Sequence, residues 1–109
     1  MALEFTNIPD RQGPAIYLVG MKPQLSHLTA LGEEIDAKTP DETQVVLLDI
    51  DSHDGANVAQ FYGLRREQLP VIMIVQDDDT MHDSWYGHSL PRADVVAHQL
   101  NQITGANRG

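Results

Sequence analysis

The chain has 109 residues, 41% of them hydrophobic and 21% charged, which suits one folded domain with one core. It contains no cysteine, so disulfides, thiolate metal sites and cysteine nucleophiles are excluded. Its formal charge of −9, from 16 acidic against 7 basic residues, argues against nucleic acid and anionic membrane surfaces, whose phosphates are bound mainly by lysine and arginine.

Residues 1–14 read as a short N-terminal segment, punctuated by Ile8-Pro9-Asp10 and Gly13-Pro14. Leu3 to Phe5 form either an edge strand or part of a tail. A folded domain is expected over residues 15–105. Ala15 to Gly20 is a continuous apolar run, as in a strand buried on both faces. A helix is expected from about Gln24 to Lys38, with Pro23 at its start and Leu25, Leu28, Leu31 and Ile35 along one face. Gly32 weakens its middle by about 1 kcal/mol relative to alanine, and Thr39-Pro40-Asp41 ends it.

Val45 to Ile50 reads as a second buried strand, parallel to the first through a right-handed crossover. Ser52 or Asp54 can cap a short helix that carries Val58, Ala59, Phe61 and Tyr62 and stops at Gly63. Pro70 opens a third strand, Val71 to Val75. Gln76 to Thr80 is a polar turn, and Met81 to Tyr86 returns as a hairpin partner. Gly87 breaks the chain. A last helix starts near Ser89-Leu90-Pro91, places Ala93, Val96, Leu100 and Ile103 on one face, and ends at Gly105. Residues 106–109 are expected to fray. The order β-α-β-α-β-β-α predicts an α/β sandwich, a mixed four-stranded sheet with helices on both faces.

Tyr62-Gly63-Leu64-Arg65, followed by Leu69-Pro70, resembles the approach to the cis-proline of thioredoxin, Tyr-Gly-Ile-Arg-Gly-Ile-Pro, with two extra residues. Met21-Lys22-Pro23-Gln24 sits where that family carries Cys-Gly-Pro-Cys. Gly87 and the closing helix agree with the same pattern, so the resemblance covers about Ala15 to Ile103. It implies a thioredoxin-like sandwich and a cis bond before Pro70, a state found in only about 5–6% of folded X–Pro bonds.

The departures bear on function. Thiol–disulfide exchange needs an attacking thiolate and a resolving thiol, and Met21 and Gln24 supply neither. The family's proton-handling aspartate is Ala15 here, and its tryptophan before the first cysteine is Gly20. The resemblance therefore implies a degenerate, redox-inactive member. It also implies a surviving groove, in which the Leu69 N–H and C=O point outward beside the Met21 loop and an extended peptide adds like a strand. Met21 would be a soft apolar contact and Lys22 a charge at the rim. The candidate binding residues are Met21, Lys22, Pro23, Gln24, Leu69 and Pro70.

The expected function is non-covalent binding of a protein or extended peptide in a chaperone, assembly or adaptor role. The acidic charge serves solubility and is compatible with a basic partner. The alternatives are a glutathione-type small-thiol binder or enzyme in the same groove, and a structural or dimerisation domain without ligand. No catalytic residue, cofactor or metal site is expected. The five histidines lack metal-binding helical spacing, and Asp77-Asp78-Asp79 with Asp83 lacks the glycine and distal glutamate of an EF-hand. Asp49 and Asp51, two apart near a strand end, form a carboxylate pair with no visible nucleophile. Trp85 and Tyr86 are adjacent on a strand and must face opposite sides. No apolar run reaches the ~20 residues of a membrane span, and Met1 to Phe5 lacks a secretion-signal pattern, so a cytoplasmic location is expected.

Overall fold

The computed structural model describes residues 14–39, 43–76, 80–87 and 90–108, with side chains up to 102. The N-terminal segment before Pro14, the Asp77–Asp79 turn and His88 lie outside the described residues. The strands are β1 (Ala15–Gly20), β2 (Gln44–Asp49), β3 (Val71–Val75) and β4 (Met81–Tyr86). The helices are α1 (Leu25–Lys38), α2 (His53–Tyr62) and α3 (Ala93–Arg108).

The strands form one sheet in the order β2-β1-β3-β4. β1 runs parallel to β2 and antiparallel to β3, and β3 pairs antiparallel with β4. The two inner strands, β1 and β3, are buried along their whole length. This accounts for their unbroken apolar sequence, because both faces of each strand meet other side chains. β2 is the outermost strand on its side among the described residues, and its burial is correspondingly patchy.

The strand period of two sorts the core into two layers. Ile16, Leu18, Ile72 and Ile74 pack with Leu28, Leu31 and Ile35 of α1 and with Ala93, Val96 and Leu100 of α3. Ala15, Tyr17, Val19, Val71, Met73 and Val75 pack on the other side with Val58 and Ala59 of α2. Among the described residues, helices thus cover both faces, two on one and one on the other. Trp85 packs into the first layer and Tyr86 into the second, both half-buried, as their adjacency on β4 requires.

A register shift between Ile74 and Val75 pairs Ile74 with Asp83 but Val75 with Met81. The bulge gives β4 one extra residue, which reverses the alternation beyond it. Met81 therefore shares a layer with Tyr86, although strict alternation would separate them.

The helix boundaries follow local chemistry. The Ser52 hydroxyl accepts the Gly55 N–H at 3.0 Å, so Ser52, and not Asp54, caps α2. Gly63 closes α2 at φ 69°, a conformation that glycine reaches without a Cβ penalty. α1 begins one residue later than expected, because Lys22–Gln24 form a 3-10 turn ahead of it. β2 begins one residue earlier, as the Gln44 N–H donates to the Pro14 carbonyl. α3 starts at Ala93 and runs through Gly105 to Arg108, which corrects the expected stop. An interior glycine lowers helix stability by about 1 kcal/mol without removing a hydrogen bond, and no proline follows to force an end.

Gly32 lies in α1 against the sheet. A Cβ there would meet the Leu18 methyls at 3.7 Å and a Val45 methyl at 3.8 Å, which is ordinary contact. Gly32→Ala should therefore stabilise the domain by about 1 kcal/mol, raising Tm by about 4–8 °C. A lower melting temperature by circular dichroism would show that the space is not available.

Candidate functional site

Two loops meet at the carboxyl end of β1, and each is closed in the same way. In the first, the Gln24 side-chain carbonyl accepts the Met21 N–H at 2.8 Å, while the Gln24 N–H donates to the Met21 carbonyl at 2.8 Å. In the second, the Gln68 side chain accepts the Arg65 N–H at 2.9 Å, and the Gln68 N–H donates to the Arg65 carbonyl at 2.9 Å. Each is a 3-10 turn locked by a glutamine that reaches back three residues. Gln24 thus holds the loop's shape.

Met21 is half-buried and packs against the core layer that contains Leu69. Lys22 and Pro23 are exposed, Gln24 and Pro70 are half-buried, and Leu69 is 6% exposed. The fold therefore brings Met21 and Leu69 into one layer and leaves Lys22 and Pro23 at the rim. The Leu69–Pro70 bond is cis.

The Leu69 backbone departs from expectation. Its N–H donates to the Arg66 carbonyl at 3.2 Å, so it serves the second turn and is not presented outward. The two residues inserted between Arg65 and Leu69, relative to the resembled pattern, supply that turn. Among the described residues the Leu69 carbonyl receives no hydrogen bond, so it alone is left for an added strand. The Pro70 carbonyl is occupied by the Gly87 N–H at 2.8 Å.

The contact between Asp51 and Arg66 was not legible in the sequence. Arg66 grips the Asp51 carboxylate through two nitrogens, at 2.8 and 3.2 Å, and so ties the loop before α2 to the turn before Pro70. The residues are 15 apart in sequence, and no local pattern marks the pair. The hydrogen-bonded guanidinium holds the Asp51 carboxyl below the usual aspartate value of 3.8, and the positive charges of Arg66 and Lys22 add to that. Asp49 and Asp51 do not form an acid–base pair of free carboxylates. Asp49 accepts the Asp51 N–H at 2.9 Å, and Asp51 is committed to Arg66.

A depressed carboxyl pKa means that the contact is fully formed above the unfolded value and is lost as pH falls through the folded value. Both side chains are 58% exposed, so the effect on global stability is small. A carbon-detected titration should place the Asp51 midpoint below 3.8, and Arg66→Gln should move it up toward the ordinary range. An unchanged midpoint in the variant would contradict the pairing.

His53 contacts Asn57 at 3.2 Å and His98 contacts Gln102 at 3.2 Å, each one turn along its own helix. Among the described residues no three histidine, aspartate or glutamate side chains gather as for a metal ion, and no helix is long and apolar enough to cross a membrane.

No known family's sequence profile matches the chain, and no curated protein matches it by sequence. Solved structures do match. A point mutant of thioredoxin from Halobacterium salinarum superposes with a TM-score of 0.72 at 17% identity, over 94% of this chain and 88% of that one. Thioredoxin O2 from Arabidopsis thaliana, in the oxidised state, gives 0.64 at 12% identity, over 90% and 81%. Human ERp44 gives 0.68 at 16% identity, over 94% of this chain and 29% of its own length. The chain has the thioredoxin-like fold, and it carries that fold without a thiol.

Proposed function

On a thioredoxin-like fold that holds no cysteine, we propose that this chain binds a protein or extended peptide non-covalently, beside the Leu69–Pro70 bond, in a chaperone, assembly or adaptor role. The observation that carries this reading is the seating of Met21. The residue is half-buried and packs against the layer that holds Leu69, with exposed Lys22 and Pro23 beside it in the chain. A polarisable, unbranched side chain on a loop locked by Gln24 gives a partner an adaptable apolar contact on a fixed frame. The Leu69 carbonyl offers one backbone acceptor, so side chains contribute more to this binding than strand addition does.

A small-thiol binder in the same groove is less well supported. The Leu69 N–H is spent on the Arg66 carbonyl, and of the three cations in the two loops Arg66 is committed to Asp51 and Arg65 pairs with Glu67, which leaves Lys22. Calorimetric titration with glutathione should show no saturable binding.

The direct test is affinity capture from the source organism's lysate with wild type and with a Met21→Glu, Lys22→Glu variant of unchanged melting temperature. A protein retained by wild type and lost by the variant supports the reading. Equal retention by both, or by neither, overturns it.

A further inference from the structure

A concave surface lies between α1 and β2, on the face of the sheet opposite the layer that Met21 joins. The cleft has a volume of about 250 Å³. Leu18, Leu28, Val45 and Leu47 form its apolar walls, and Glu33 and Asp36 stand at its rim. Gly32 opens it, since any side chain at that position would project from α1 toward Leu18 and Val45. Leu47 remains 38% exposed, although its neighbour Leu48 is buried on the other face. An apolar cavity of about 150 Å³ takes a benzene ring, so this cleft has room for one bulky aliphatic or aromatic side chain.

The two charged residues that line it, Glu33 and Asp36, are both acidic. Glu33 and Asp36 are three apart on α1 and so neighbours on one helix face, and neither forms an ion pair with a described residue. Lys38 is the only lysine or arginine on α1. It lies two residues from Asp36, a spacing that does not share a face. β2 contributes no cation. The chain as a whole carries −9. An apolar slot under two carboxylates with no ion pair among the described residues is complementary to an aliphatic side chain flanked by lysine or arginine.

We propose that the cleft between α1 and β2 docks a basic segment of a partner protein, with one large apolar side chain inserted over Gly32 and its flanking cations on Glu33 and Asp36. The site is independent of the Met21 surface, because the two lie on opposite faces of the sheet.

The probe is a capped decapeptide of alternating leucine and lysine, titrated into the isotope-labelled chain. Controls replace lysine with glutamate, or leucine with serine. Amide shifts should centre on Gly32, Glu33 and Leu47, and each control peptide should bind at least ~10-fold more weakly, about 1.4 kcal/mol. Glu33→Lys with Asp36→Lys should weaken binding by a similar factor. Gly32→Leu, which fills the slot while favouring helix, should abolish the shifts. Shifts centred on Met21, Gln24 and Leu69 would overturn this inference and support the peptide surface proposed above. Equal binding of the serine control, or no saturable shift, would also overturn it.

Discussion

Replacing Gly55 with alanine is expected to destabilise the domain by about 3 kcal/mol or more, although the residue sits in a helix where alanine ordinarily adds about 1 kcal/mol. Gly55 is buried in the first turn of α2, where the helix begins against the end of β2. An added Cβ would lie 2.6 Å from the Asp49 carbonyl carbon and closer still to its oxygen. That oxygen cannot retreat. It accepts the Ser52 N–H at 2.9 Å and the Ser52 hydroxyl at 2.7 Å, and the same hydroxyl caps the helix through Gly55. Relief of the clash therefore breaks the cap as well as shifting backbone. The expected fall in Tm is more than about 12 °C, at roughly 4–8 °C per kcal/mol. A variant that melts at or above the wild-type temperature would sink the argument. Gly32→Ala is its internal control, with the opposite sign expected at another helical glycine.

Leu28→Ala is expected to cost about 2–3 kcal/mol, the lower part of the 2–5 kcal/mol range for a buried leucine. The side chain is fully buried and joins α1 to the sheet. It also walls the cleft, so the space it vacates opens to solvent, and water entry limits the cavity penalty. Its Cδ1 is the atom that a Cβ on Gly20 would approach to 2.6 Å. The two positions should consequently be coupled. Gly20→Ala should be destabilising in the wild-type background and clearly less so with Leu28→Ala, a departure from additivity read by a double-mutant cycle in urea. Strictly additive values would show that Leu28 swings aside freely, and the end of β1 would then be less tightly packed than the geometry implies.

The order of elements could be read in the chain because each signal sits within a few residues of what it specifies. Continuous apolar runs marked the inner strands β1 and β3, a 3.6-residue apolar spacing marked α1, and Gly63 marked the end of α2 through its own φ. The lack of a thiol needed no structure at all. Gly105 misled because a glycine near a chain end suggests a stop, yet it tolerates helix when nothing blocks the next turn.

What the tertiary structure alone decided lies in contacts between segments distant in sequence. The Leu69 N–H, expected to face outward, is withdrawn into a turn whose closure depends on Gln68. Asp51 finds Arg66 only because α2 returns the chain to the end of β2. Met81 changes layer because a bulge adds one residue to β4. Gly32 and Gly55 are alike in sequence, each a helical glycine, and they differ because one faces movable methyl groups and the other a fixed carbonyl. Local periodicity and propensity set which elements form. The position of one element against another sets which atoms meet, and that depends on how the whole core packs.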